Sequence, residues 1–381
     1  MTSFDRSDIP KYLAVFLISM TVAYLGSKFR YTWQSTEQED EHKIIRQYLL
    51  NESPLYGHNK PKLWIHTTYE VNARSWKSFF SRNTTDLNQP YIHLTVKSII
   101  NHCADDFNIC LIDDHSFSKL IPHWSINIAE LPEPIRTNAR ELGLAELLYI
   151  YGGMVVPNSF ICMKPLKPLF DIGTQNNTPF VLENVNHIWT NGTFAGRNKV
   201  SGREEMNGEM KRLRFIPDCF FMGARKNDKV IYEYTSILKK RNKFGHFTSE
   251  AQFLGSTSQW MIHEINEGHM KLIDGECIGV KTTDKKTVLL EELMEENFLD
   301  ISADAYGVYI PASDVLKRPK YQWFASLNGN TILNSNMIVS KYLASSIVDS
   351  YQNVNRIDGD HIPSHNWTGT DGTLISHSSG L

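Results

Sequence analysis

The segment RELGLAELLYIYGGMVVPNSFICMKPLKPLF, residues 140–170, combines a helix pattern, a turn and a strand in one continuous run. Leu144, Leu147, Leu148 and Tyr151 recur at i, i+3, i+4 and i+7, which is one apolar stripe of an α-helix. Gly152 and Gly153 then supply the backbone freedom for a sharp turn into Met154, Val155 and Val156. A helix feeding such a short, uninterrupted apolar strand is the repeating unit of an α/β fold, whose strands are covered on both faces.

Outward from this unit the same texture repeats. Strands are expected at 63–65, 109–112, 153–156, 180–182 and 220–223, and helices at 95–102, 138–151 and 229–239. An acidic helical turn is expected at 289–296 and a final helix at 331–349. The alternation predicts an α/β body with a mostly parallel sheet flanked by helices. Residues 193–211 are rich in glycine and charge and have no periodicity, which suits a surface loop or a lid.

Whole-chain properties narrow the class. The chain has 381 residues, of which 41% are apolar and 21% charged, enough to bury a substantial core. A net charge of -3, with no basic stretch interleaved with aromatics, argues against nucleic acid as a partner. The five cysteines (Cys103, Cys110, Cys162, Cys219 and Cys277) form no C-x-x-C pair and no zinc-like spacing. Buried thiols are the simpler reading, and a Cys103–Cys110 disulfide in an oxidising compartment is the other.

Residues 12–26 (YLAVFLISMTVAYLG) carry no charge and are bracketed by Lys11, Lys28 and Arg30. They read as a single membrane helix, although shorter than the roughly 20 residues of a comfortable span. A cleaved signal peptide is the rival, but no small-residue cleavage site follows. The organisation is then a short tail at 1–11, an anchor at 12–29, a polar stem at 30–60, the body at 61–349 and an irregular tail at 350–381. Basic residues balance across the anchor, so its orientation stays open. Sequons at Asn83, Asn191 and Asn366 allow a lumenal body. A single-pass location in a membrane of the secretory pathway is the expectation. The compact apolar strings and short anchor also fit a viral membrane protein of a large DNA virus.

The 140–170 segment resembles the DXD-containing sugar-transferase families, which include Golgi-type mannosyltransferases and bacterial capsular-polysaccharide enzymes. Those families show a helix SDxxRxxxLxxxGG, a strand ending in D-x-D, and a recurring Pro-Leu pair. This chain matches with Leu148, Gly152, Gly153, the strand 154–156, and Pro165-Leu166 followed by Pro168-Leu169. Leu63-Trp64-Ile65-His66-Thr67-Thr68-Tyr69 is similar to their opening strand, which ends IHQTW. Residues 107–114 (FNICLIDD) and 220–223 are similar to later strands, so the likeness spans about 61–239. It implies a GT-A-like, Rossmann-like fold and a nucleotide-sugar site at the strand ends.

Aligned on the glycine pair, the departures are large. The two aspartates fall on Pro157 and Ser159 with Asn158 between them, and the motif's arginine falls on Leu144. Its Ser-Asp pair falls on Arg140 and Glu141. Neutral Asn and Ser oxygens are weak ligands for Mn or Mg, so no metal cofactor is expected. The resemblance makes His66, Thr68, Arg140, Glu141, Asn158, Ser159 and His365 the candidate nucleotide-sugar-binding residues. His365 stands in HNWTGT, similar to the family's HHWxGSW ending, although an irregular polar tail explains those letters as well.

Two features have plainer readings. Asn138 and Glu141 have the spacing of a capping box at a helix start; the alternative is that Arg140, one turn before Leu144 on the same helical face, reaches a phosphate. Asp113-Asp114-His115 reads as a strand-end pair of acids capping the next helix rather than an acid–base cluster. Three functions remain open: a non-catalytic, membrane-tethered relative with a binding or structural role, an active metal-independent glycosyltransferase, and an unrelated α/β membrane protein.

Overall fold

The computed structural model describes residues 60–67, 89–132, 134–185, 214–244 and 250–354. The expected anchor, the stem up to residue 59, the 193–211 loop and the tail beyond 354 lie outside them, as do Thr68, His365 and the sequons at Asn83, Asn191 and Asn366. Among the described residues no helix is long and apolar enough to cross a membrane.

Eight strands are named in chain order: β1 (Lys62–His66), β2 (Asn108–Ile112), β3 (Gly153–Val155), β4 (Phe160–Cys162), β5 (Phe180–Val185), β6 (Phe215–Ala224), β7 (Lys271–Ile273) and β8 (Gly307–Tyr309). The main sheet has six of them in the order β2-β1-β3-β6-β5-β7. β1 is parallel to β2 and β3, β5 is parallel to β7, and only β6 runs against its neighbours. The molecule is thus mixed α/β with a mostly parallel sheet flanked by helices, as the alternation predicted. β4 and β8 make a separate antiparallel pair.

Period-2 alternation distributes the core over both faces of the sheet. Leu63, Ile65, Ile109, Leu111 and Met154 join a cluster with helices α1 (Tyr91–Cys103) and α5 (Ile338–Val354). Trp64, Cys110, Ile112 and Val155 join a second cluster with α2 (Ile135–Tyr151), α3 (Lys229–Phe244) and α4 (Glu250–Asn266). Because Cys103 and Cys110 belong to opposite faces, the Cys103–Cys110 disulfide is not formed, and none of the five cysteines is disulfide-bonded in this structure.

Several boundaries differ from expectation for identifiable reasons. α2 begins at Ile135, behind Pro134, rather than at Asn138. Proline is suited to a helix entry, since its missing N–H has no intrahelical partner there. Asn138 and Glu141 are therefore interior and buried, and the capping box does not exist. α1 likewise starts early, behind Pro90. The expected helix at 331–349 is two helices, Gly329–Leu333 and α5, and the Asn328 side chain caps the first by accepting from Thr331 N at 2.7 Å. The acidic turn is confined to Leu290–Leu293.

The glycine pair sets the approach of α2 to the sheet. Gly152 and Gly153 have φ of 70° and 105°, in the region where a Cβ is strained. The Gly152 carbonyl accepts from Trp64 Nε1 at 3.0 Å, satisfying the indole of a fully buried tryptophan. This turn delivers β3 beside β1 with its C-terminal end next to those of β1 and β2.

Candidate functional site

In an open parallel sheet, ligands bind beyond the carboxyl ends of the strands. At that edge the structure brings together His66, the last residue of β1, Asp114, just past β2, and Arg140 on α2. Arg140 Nε and Nη2 donate to the two Asp114 oxygens at 2.8 and 2.7 Å, a bidentate pair. His66 Nε2 lies 2.9 Å from Asp114 Oδ1, and its ring stacks on Phe117 at 5.5 Å. All three side chains are mostly but not wholly buried, with relative exposures of 13% to 19%.

Burial by itself would raise the Asp114 carboxyl. The hydrogen bonds from His66 and Arg140, reinforced by their charges, outweigh it and hold the group well below the usual carboxylate range. Asp114 is ionised throughout the physiological range and fixes the orientation of both partners. Its neighbour does something else: Asp113 accepts from Ser116 N at 2.9 Å and caps the helix Ser116–Leu120. The expectation that both acids cap is corrected, because only Asp113 points along the chain.

The turn after β3 has a different character. Phe160 N bonds back to Pro157 O at 3.2 Å, closing it. The Asn158 carbonyl accepts from Thr95 Oγ1 on α1 at 2.5 Å. Ser159 is 2% exposed, and its hydroxyl donates to Ile310 O at 2.7 Å while its carbonyl accepts from Ile310 N at 3.1 Å. Ser159 is thus a link to the exit of β8. The half-buried Asn158 carboxamide is the group left at this turn with no hydrogen bond among the described residues. A hydroxyl already donating and a neutral amide do not fit a hard divalent cation. Among the described residues no group of three or more His, Cys, Asp or Glu side chains is placed to hold a metal ion.

Glu141, adjacent to Arg140, faces the other way. It is buried against α3, where Tyr234 Oη donates to its carboxylate, and Tyr234 stacks on Trp260 of α4 at 5.1 Å. Burial, with the nearby charge of Asp218, raises Glu141 to about 7, against the lowering effect of the Tyr234 and Cys219 hydrogen bonds and of Arg241. Of the candidate residues within the described chain, His66 and Arg140 therefore share one site, and Glu141 belongs to the α2–α3 interface.

No family model matches the chain, and no curated protein is significantly similar to it. Two solved structures of LgtC are distantly similar. The crystal structure of an active-site mutant of LgtC shares 13% identity, is matched over 56% of this chain and 73% of that one, and has a TM-score of 0.29. The galactosyltransferase LgtC in complex with donor and acceptor sugar analogs also shares 13% identity, over 70% of this chain and 95% of that one, with a TM-score of 0.31. Scores this low bear no weight for fold or chemistry, which rest on the strand order and side chains above.

Arg140→Gln is expected to destabilise the protein by about 2 kcal/mol at pH 7, because it leaves the partly desolvated Asp114 carboxylate with one partner. Asp114 is depressed on folding, so its contribution is complete above its unfolded value of about 3.9 and is lost as pH falls below that. Urea unfolding at pH 7 and pH 3 should show the wild-type advantage shrinking at the lower pH. An undiminished difference would refute the ion-pair explanation.

Proposed function

We propose that this chain is a membrane-anchored, glycosyltransferase-like binding protein that holds a nucleotide-sugar or glycan at the β1–β2–β3 edge without a metal and does not turn it over. The observation that carries this reading is the bidentate pairing of Arg140 with Asp114. It leaves an ordered polar edge while neutralising the positive charge that a departing diphosphate requires for catalysis. The neutral turn Pro157-Asn158-Ser159 adds no carboxylate to recruit a metal in its place. Residues 12–29 supply the anchor in this reading.

A second reading, an active metal-independent glycosyltransferase, is favoured by one feature. Asp114 orients His66 through Nε2, and Nδ1 makes no hydrogen bond among the described residues, an arrangement suited to proton transfer. The test is a thermal-shift panel of UDP- and GDP-sugars on the full-length chain in detergent, with Mn and with EDTA. At least one donor should stabilise the fold equally in both, by about 2.7 kcal/mol at a hundredfold excess over Kd, without release of nucleotide. Release that disappears in His66→Ala selects the second reading. Lack of response to every donor overturns both.

A further inference from the structure

The two cysteines that the fold brings together are ones that sequence spacing does not pair. Cys103, at the C-terminal end of α1, and Cys162, at the end of β4, have their sulfurs 3.8 Å apart although 59 residues separate them in the chain. Both are fully buried on the same face of the main sheet. The surrounding contacts fix their relative position: Ser98 Oγ, one turn before Cys103, accepts from Cys162 N at 2.9 Å, and Thr95 Oγ1 binds the Asn158 carbonyl. The other three thiols lie elsewhere, Cys110 on the opposite face and Cys219 and Cys277 on β6 and beyond β7.

We infer that Cys103 and Cys162 form a disulfide when the chain folds in an oxidising compartment, stapling α1 to β4 directly behind the turn 157–159. Bringing the sulfurs to bonding distance requires a closing of about 1.8 Å, within reach of side-chain rotation in a pair already in contact. The oxidant is a small-molecule disulfide such as oxidised glutathione. The Cys103 thiolate attacks it and releases one glutathione thiol, and Cys162 then attacks the mixed disulfide at Cys103 and releases the second. Two protein thiols give up two protons and two electrons, and one glutathione disulfide becomes two glutathiones. Burial, together with the adjacent Cys103, pushes the Cys162 thiol up, so exchange proceeds before α1 docks and is slow in the folded, reduced protein.

The experiment is peptide mapping of the full-length chain produced in an oxidising secretory host, with free thiols trapped by N-ethylmaleimide in denaturant at lysis, since the thiols concerned are buried. The expected product is a single linked peptide pair containing Cys103 and Cys162, lighter by two hydrogen atoms than the reduced pair, with Cys110, Cys219 and Cys277 alkylated. Reductant should lower the Tm of the wild-type chain by about 5 to 10 °C. It should leave the Tm of Cys103→Ser and Cys162→Ser unchanged. Alkylation of both Cys103 and Cys162 in the denatured, trapped wild-type chain, or linkage of either to another cysteine, overturns the inference, and the wild-type measurement decides it even where a variant fails to fold.

Discussion

Gly153→Ala is expected to lose at least about 4 kcal/mol of stability, a large part of the roughly 5–15 kcal/mol that a typical domain possesses. A Cβ at this position would stand 2.1 Å from the carbonyl oxygen of Lys62 and 2.8 Å from its carbonyl carbon. Both are backbone atoms of β1 and cannot rotate away. Relief would require β3 to move off β1, breaking the register that pairs Leu63 with Met154 and Trp64 with Val155. The backbone conformation adds to the penalty, since φ is 105°. Gly268→Ala separates the two contributions. Gly268 also has a positive φ, 77°, but nothing lies within 4 Å of the Cβ position, so its loss is about 1 kcal/mol. Urea unfolding followed by tryptophan fluorescence measures both, and equal losses would show that close approach of β1 and β3 is not what the glycine serves.

Glu141→Gln is expected to stabilise the protein at pH 8 by on the order of 3 kcal/mol and to change little at pH 5. The carboxyl titrates near 7 in the folded state, above its unfolded value, so folding favours the protonated form. That contribution is complete below about pH 4.3 and is lost as pH rises through 7. A neutral amide keeps an acceptor for Tyr234 Oη and removes the charge that faces Asp218 and Cys219 from β6. Arg241 on α3 supplies the only opposing cationic influence among the causes of the shift. Tyr234→Phe should act in the opposite direction, since it deletes a hydrogen bond that favours the ionised form and moves the decline to higher pH. Stability curves of the three proteins from pH 5 to 9 would reveal the pattern, and parallel curves would rule out Glu141 as its source.

These two sites also separate what is local from what is not. The 140–170 segment was legible because each signal in it is short-range: the stripe Leu144, Leu147, Leu148, Tyr151 follows helical periodicity, and the glycine pair marks the place within this segment where the backbone adopts positive φ. Asn138 and Glu141 misled because their spacing satisfies a capping box only if the helix begins there, and Pro134 begins it earlier. The three-residue strand β4 escaped notice because its partner β8 lies far along the chain. Asp114 was visible as a strand-end acid, but its partners are 26 and 48 residues away, and nothing in its neighbours distinguishes it from Asp113.

By itself, the sequence determined the α/β class, the helix–turn–strand unit and the absence of acidic residues from 157–159, since periodicity, glycine conformation and ligand chemistry are properties of neighbouring residues. Only the tertiary structure decided which polar groups meet. Parallel pairing of β1, β2 and β3 aligns ends that are distant in the chain, and that alignment joins His66, Asp114 and Arg140 at one edge, turns Glu141 toward Tyr234, and sets Cys103 against Cys162.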